Sequence, residues 1–166
     1  MDKRTLIIGI GNSSRGDDGL GWKFLDELPA RGGVDLEYRY QLQVEDAALI
    51  SSYDEVIFVD AIARALPEGF AFSPCEPKQT SSFTTHRLEP GAVLWLCREL
   101  YRVIPDAYVM AIEGVDFQLG QSLSTVAERN LTSAKKFMEQ QFSSREGENL
   151  LSCEYNSDER KSIKQE

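Results

Sequence analysis

The chain has 166 residues, the size of one ordinary domain, and 42% of them are hydrophobic, so a substantial core is available without a second domain. Its formal net charge of -9, from 27 acidic against 18 basic residues, opposes binding to nucleic acid or to an anionic membrane surface. A protein, a cation or a small molecule is the expected partner.

Thr5-Leu6-Ile7-Ile8-Gly9-Ile10 is a short apolar run, too brief and too glycine-punctuated for a signal segment or a membrane span, and it reads as a buried strand. The stretch Gly9-Ile10-Gly11-Asn12-Ser13-Ser14-Arg15-Gly16-Asp17-Asp18-Gly19-Leu20-Gly21 follows, with glycines that permit a tight turn before a helix expected over about 17–28. Asp17 suits an N-cap or first turn, where a carboxylate accepts orphan N–H groups and opposes the helix dipole; Asp18 is then free to project into a crevice.

A second strand is predicted near 34–41, where Val34, Leu36, Tyr38 and Tyr40 alternate with polar neighbours, as in a strand near a sheet edge. A helix over 45–52 and a strand over 55–60 come next, and Asp60 terminates the apolar run Val56-Ile57-Phe58-Val59 instead of lying within it. Phe70-Ala71-Phe72 allows a further short strand.

His86, the single histidine of the chain, sits in the polar stretch Ser81-Ser82-Phe83-Thr84-Thr85-His86-Arg87-Leu88-Glu89. Pro90 then suits the first turn of a helix over 90–102, since the N–H it lacks is not needed there, with Ala92, Val93, Leu96 and Leu100 along one face. A strand is expected over 107–112 and a helix over 124–142, the latter carrying the stripe Val126, Leu131, Ala134, Phe137 and Met138. Residues 1–142 thus read as one α/β domain, and 143–166 as a charged, mobile tail with little to bury.

Short continuous apolar strands alternating with helices predict a mostly parallel sheet covered on both faces. In such sheets the ligand crevice lies outside the carboxyl ends of the strands, where Asp18 and Asp60 are expected. Together with His86 they form an acceptable ligand set for zinc, nickel or a similar divalent ion. Each also has a plainer role, as a turn-capping aspartate or a loop histidine.

Other chemistries fit less well. Gly9-Ile10-Gly11-Asn12-Ser13-Ser14 lacks the third glycine of a dinucleotide fingerprint, and Asp17-Asp18 would face the pyrophosphate. No G-x-S-x-G nucleophile elbow exists. Cys75, Cys97 and Cys153 are too far apart for a Cys-x-x-Cys site, which suggests a reduced, cytoplasmic setting, and Cys97 reads as core.

Across about residues 5–140 the ordered pattern resembles the nickel-iron hydrogenase maturation proteases, endopeptidases that trim the C-terminus of the hydrogenase large subunit. The resemblance rests on Gly9-Ile10-Gly11-Asn12 with Asp17-Asp18-Gly19-Leu20-Gly21, then Val59-Asp60-Ala61, Thr85-His86-Arg87-Leu88-Glu89-Pro90, and Ile112-Glu113-Gly114-Val115-Asp116-Phe117 leading into Gly120-Gln121-Ser122-Leu123-Ser124. It implies a three-layer α/β fold of the phosphorylase/hydrolase-like kind, with a twisted, mostly parallel sheet flanked by helices.

It also implies that Asp18, Asp60 and His86 are the metal-contacting and catalytic positions. The nickel would be supplied by the large-subunit precursor, its substrate, and another divalent ion could substitute in isolation. Asp18 stands where relatives carry Glu or Asp, and Gly114-Val115 replaces a Pro-Glu-like pair. The alternative within the same resemblance is a non-catalytic metal-sensing chaperone of that precursor.

Overall fold

The computed structural model describes residues 2–80 and 87–162, with side chains as far as Glu148. Five strands form one sheet: β1 (Thr5–Ile10), β2 (Val34–Arg39), β3 (Glu55–Ile62), β4 (Phe70–Pro74) and β5 (Asp106–Glu113), in the order β2-β1-β3-β5-β4. All pairs are parallel except β4 with β5. β2 is an edge strand, as expected, but its apolar alternation does not mark a buried face, because Leu36, Tyr38 and Tyr40 are exposed.

Among the described residues four α-helices accompany the sheet: α1 (Leu20–Asp26), α2 (Asp46–Ile50), α3 (Pro90–Tyr101) and α4 (Thr125–Ser162). Because side chains alternate along a strand, Leu6, Ile8 and Ile10 of β1 and Val56 and Phe58 of β3 share one face, which packs with Ala47 and Ile50 of α2 and Val93, Leu94 and Cys97 of α3. α1 lies on the opposite face. There a Cβ on Gly21 would come within 2.4 Å of the Ile10 carbonyl oxygen and 2.6 Å of that of Val59. Glycine therefore sets how closely α1 approaches β1 and β3.

Two compact units divide the chain, Met1–Ala134 and Lys135–Glu166, and α4 begins in the first and continues through the second. The helix thus runs well past 142, where the apolar stripe ends. The stretch from Ser143 to Ser162 has no proline and many Arg, Glu, Leu and Lys residues, so local propensity favours helix where no core-facing pattern is legible.

The chain enters the helix layer through a 3-10 turn, Gly16–Gly19, and here Asp17 does something other than cap its own helix. Fully buried, it reaches the loop after β5: Oδ2 accepts from the Val115 N–H (2.7 Å), the Asp116 N–H (2.9 Å) and the Ser124 hydroxyl (2.8 Å), and Oδ1 from the Ser124 N–H (2.7 Å). The Asp17 N–H donates in turn to the Asp116 carbonyl at 2.7 Å. The Ser124 hydroxyl also accepts from the Ala127 N–H, capping α4. Burial pushes the Asp17 carboxyl pKa up, but the donors from Ser124, Val115 and Asp116 outweigh it and hold the value below the ordinary carboxylate range.

Two substitutions test these contacts. Gly21→Ala should destabilise by about 1–3 kcal/mol through overpacking, although Gly→Ala in an open helix would stabilise by about 1 kcal/mol. Urea titration reads the sign directly. Asp17→Asn turns an acceptor into a donor facing N–H groups, and should cost about 3 kcal/mol or more at neutral pH, from buried donors worth roughly 1–3 kcal/mol each. A midpoint equal to that of the wild type would show that the loop does not depend on this carboxylate.

Candidate active site

The order β2-β1-β3 puts the next strand after β1 on one side and the strand after that on the other, so the chain reverses its winding between β1 and β3. At such a switch point the connections leaving the two strands diverge to opposite faces and open a crevice at their carboxyl ends. Asp18 comes from the connection after β1 and Asp60 from within β3, one residue beyond the Gly9–Val59 pair and two before the strand ends at Ile62. Both flank this crevice.

Gly11 makes the tight exit from β1 possible. Its φ of 144° lies in a region favouring glycine, and the next residue, Asn12, donates its N–H to the Asp18 carbonyl at 3.1 Å. Asn12 Oδ1 accepts from the Ser14 N–H at 2.9 Å, completing the turn. Asp18 is therefore presented by a loop closed on one side by its own backbone and on the other by the Asp17 cross-link.

Asp60 is in an unusual state. Its Oδ1 is buried and has no hydrogen-bond partner among the described residues. Burial pushes the carboxyl pKa up to about 6; Arg87 and the Ala61 N–H pull it down, and the charges of Asp18 and Glu89 push it up again. Asp60 therefore feels the opposing charges of Asp18 and Arg87.

Two cavities meet here. One of about 830 Å³ has Asp60 on its wall, and one of about 530 Å³ has Asp18 with Arg15, Tyr40 and Phe117; Ala61 and Arg87 line both. The structure thus brings Asp18 and Asp60 to one crevice. His86, with the rest of 81–86, lies outside the described residues, but the chain just beyond it is fixed, because Leu88 forms an antiparallel bridge with Leu42. Among the described residues no group of three His, Cys, Asp or Glu side chains is placed to hold an ion. Two oxygen-donor carboxylates, one with an orphaned buried oxygen, nevertheless suit a divalent cation.

Two participants escape a reading of the sequence. Arg87 borders both cavities, and only its place beside His86 hinted at this. Asp17 was legible as a capping residue, whereas its partners lie about a hundred residues away, beyond any local signal.

No protein-family model matches the chain, and no curated protein does. Solved structures do. A nickel-iron hydrogenase maturation protease, HycI from Thermococcus kodakarensis, is 27% identical, with a TM-score of 0.60 over 82% of this chain and 91% of that one. The hydrogenase maturating endopeptidase HybD from E. coli has a TM-score of 0.66 at 17% identity, covering 81% and 89% of the two chains. A hydrogenase 2 maturation peptidase from a Thaumarchaeota archaeon has a TM-score of 0.60 at 20% identity, covering 84% and 98%. The latter two speak for the fold alone. With the four motifs in order, the mostly parallel five-stranded sheet and the likeness to HycI, the chain is similar in motif order and fold to the hydrogenase maturation proteases, a family of peptide-bond hydrolases.

Proposed function

We propose that this protein is the endopeptidase that removes the C-terminal extension of a nickel-iron hydrogenase large-subunit precursor after nickel insertion, recognising the metal that the substrate carries. The observation that carries this reading is the buried, unpartnered Oδ1 of Asp60 beside Asp18 at the β1/β3 switch point. An unpaired buried carboxylate is costly, and a substrate cation would relieve that cost.

In this reading Asp18, Asp60 and His86 contact the substrate's nickel, or another divalent ion when the protein is alone. The ion supplies a Lewis acid that can polarise the scissile carbonyl or a water. The chain's own contribution is position: the Asp17 cross-link and the Asn12–Asp18 bond hold the Asp18 turn, and β3 holds Asp60. Arg87, bordering both cavities, balances the two carboxylates until a cation arrives. Cys75 and Cys97 are free thiols, in keeping with a reducing cytoplasmic location.

Purified protein incubated with nickel-loaded and nickel-free precursor, followed by mass measurement of the products, tests the reading. Loss of the extension from the loaded form alone supports it, and binding without cleavage would make the protein a metal-sensing chaperone.

His86→Ala should leave the melting temperature nearly unchanged, as removal of one side chain from a polar stretch usually does, while strongly slowing cleavage of loaded precursor. Wild-type cleavage rates in that variant would remove His86 from the metal-sensing set.

Asp60→Asn separates charge from fold. A carboxyl pKa raised in the folded state favours stability below the unfolded value of 3.8, and that contribution is lost as pH rises through about 6. At pH 8 the wild type therefore carries a penalty of about 3 kcal/mol that the amide avoids. Asp60→Asn should melt higher than wild type at pH 8, with the gap narrowing at pH 5, and should process no precursor. A variant that melts lower at pH 8 would contradict the unpaired state of Asp60.

A further inference from the structure

The larger cavity has a floor that a central strand does not normally leave open. β5 lies between β3 and β4, yet Val109 and Ala111, which share its α3-side face, are only half-buried. The register sets Val109 beside Phe58 and Ala111 beside Asp60. Ala107, further back on the same face, is covered. The half-buried apolar floor therefore runs from Val109, whose other side packs on the core, to Ala111 beside Asp60.

We propose that this cavity is a subsite for an apolar side chain of the client polypeptide, next to the bond to be cut. The proposal rests on the endopeptidase reading and adds to it a determinant of substrate choice. Three observations carry it. At about 830 Å³ the cavity falls within the range of pockets that enclose a ligand, roughly 300–1,000 Å³.

Its lining carries Lys78 and Arg87 against Asp60, Glu76 and Glu89, so the opposite charges largely offset one another and leave no strong preference for an anion. The third observation is continuity. Asp60 is on the wall, and Ala61 and Arg87 are shared with the cavity of Asp18, so whatever fills this space lies against the same chain that brings the metal. Cys75, also on the wall, has its thiol pKa pushed up by burial and by Glu76, and stays uncharged at neutral pH. An apolar pocket flanked by polar margins is how a protein anchors one side chain of an extended partner.

Val109→Phe tests the assignment, because it fills the cavity at a position two residues from the register partner of Asp60. The probe is nickel-loaded large-subunit precursor, with equilibrium affinity, cleavage and melting temperature measured for wild type and variant. The expected result is an affinity at least ten-fold weaker, a KM raised to match, and a melting temperature equal to or above that of wild type. Unchanged affinity would overturn the subsite. So would a melting temperature several degrees lower, because it would mean that this chain's own side chains already fill the space. Wild type that binds loaded precursor without cutting it would fail the endopeptidase reading alone, and the affinity comparison would still decide the subsite.

Discussion

A single buried carboxylate holds together the two loops on which the site depends. Asp17 takes four hydrogen bonds from a segment about a hundred residues further along the chain, and the Gly16 N–H and Gly120 N–H add backbone bonds to Gln121 and Ser14 across the same seam. Because four N–H and hydroxyl donors converge on a fully buried side chain, the charge is solvated by the protein in place of water. The loop after β1 and the loop after β5 are consequently one structural piece. Asp18 inherits its position from that piece.

Asp17 and Asp60 show how environment divides labour between identical side chains. Burial alone would raise the pKa of both. Donors converge on Asp17 and more than compensate, so it is an ionised structural anchor. Asp60 lacks such compensation: one oxygen is unpartnered, Asp18 adds repulsion, and Arg87 offsets only part of it. The first is satisfied by the fold, and the second is left with an oxygen that no described residue satisfies.

Much of this was legible in the sequence because the signals were local. Thr5–Ile10 is buried at every residue, as a continuous apolar run in a parallel sheet should be. The glycines after it mark a turn and a close helix approach, and Pro90 opens α3 as its missing N–H suggests. Asp60 sits within β3, two residues before its end, because the strand continues through Ala61 and Ile62 once paired with β5. What was hidden depended on distant pairing. Phe70–Pro74 reads weakly as a strand by itself, and acquires its antiparallel place only from β5. The role of Asp17 likewise lay in a partner that no periodicity points to, and the place of His86 lies outside the described residues.

The packing of α1 has a consequence for motion. Gly9 and Gly21 bring the helix backbone into direct contact with the sheet, and a Cβ on either would collide with a carbonyl oxygen. With no side chains between them to slide or repack, helix and strand move as a rigid unit, and hinge displacement of one against the other is suppressed. Adjustment of the gap between Asp18 and Asp60 is left to side-chain torsions. Such rotations take picoseconds to nanoseconds, so on the timescale of a diffusing protein partner the crevice is already equilibrated when the encounter occurs.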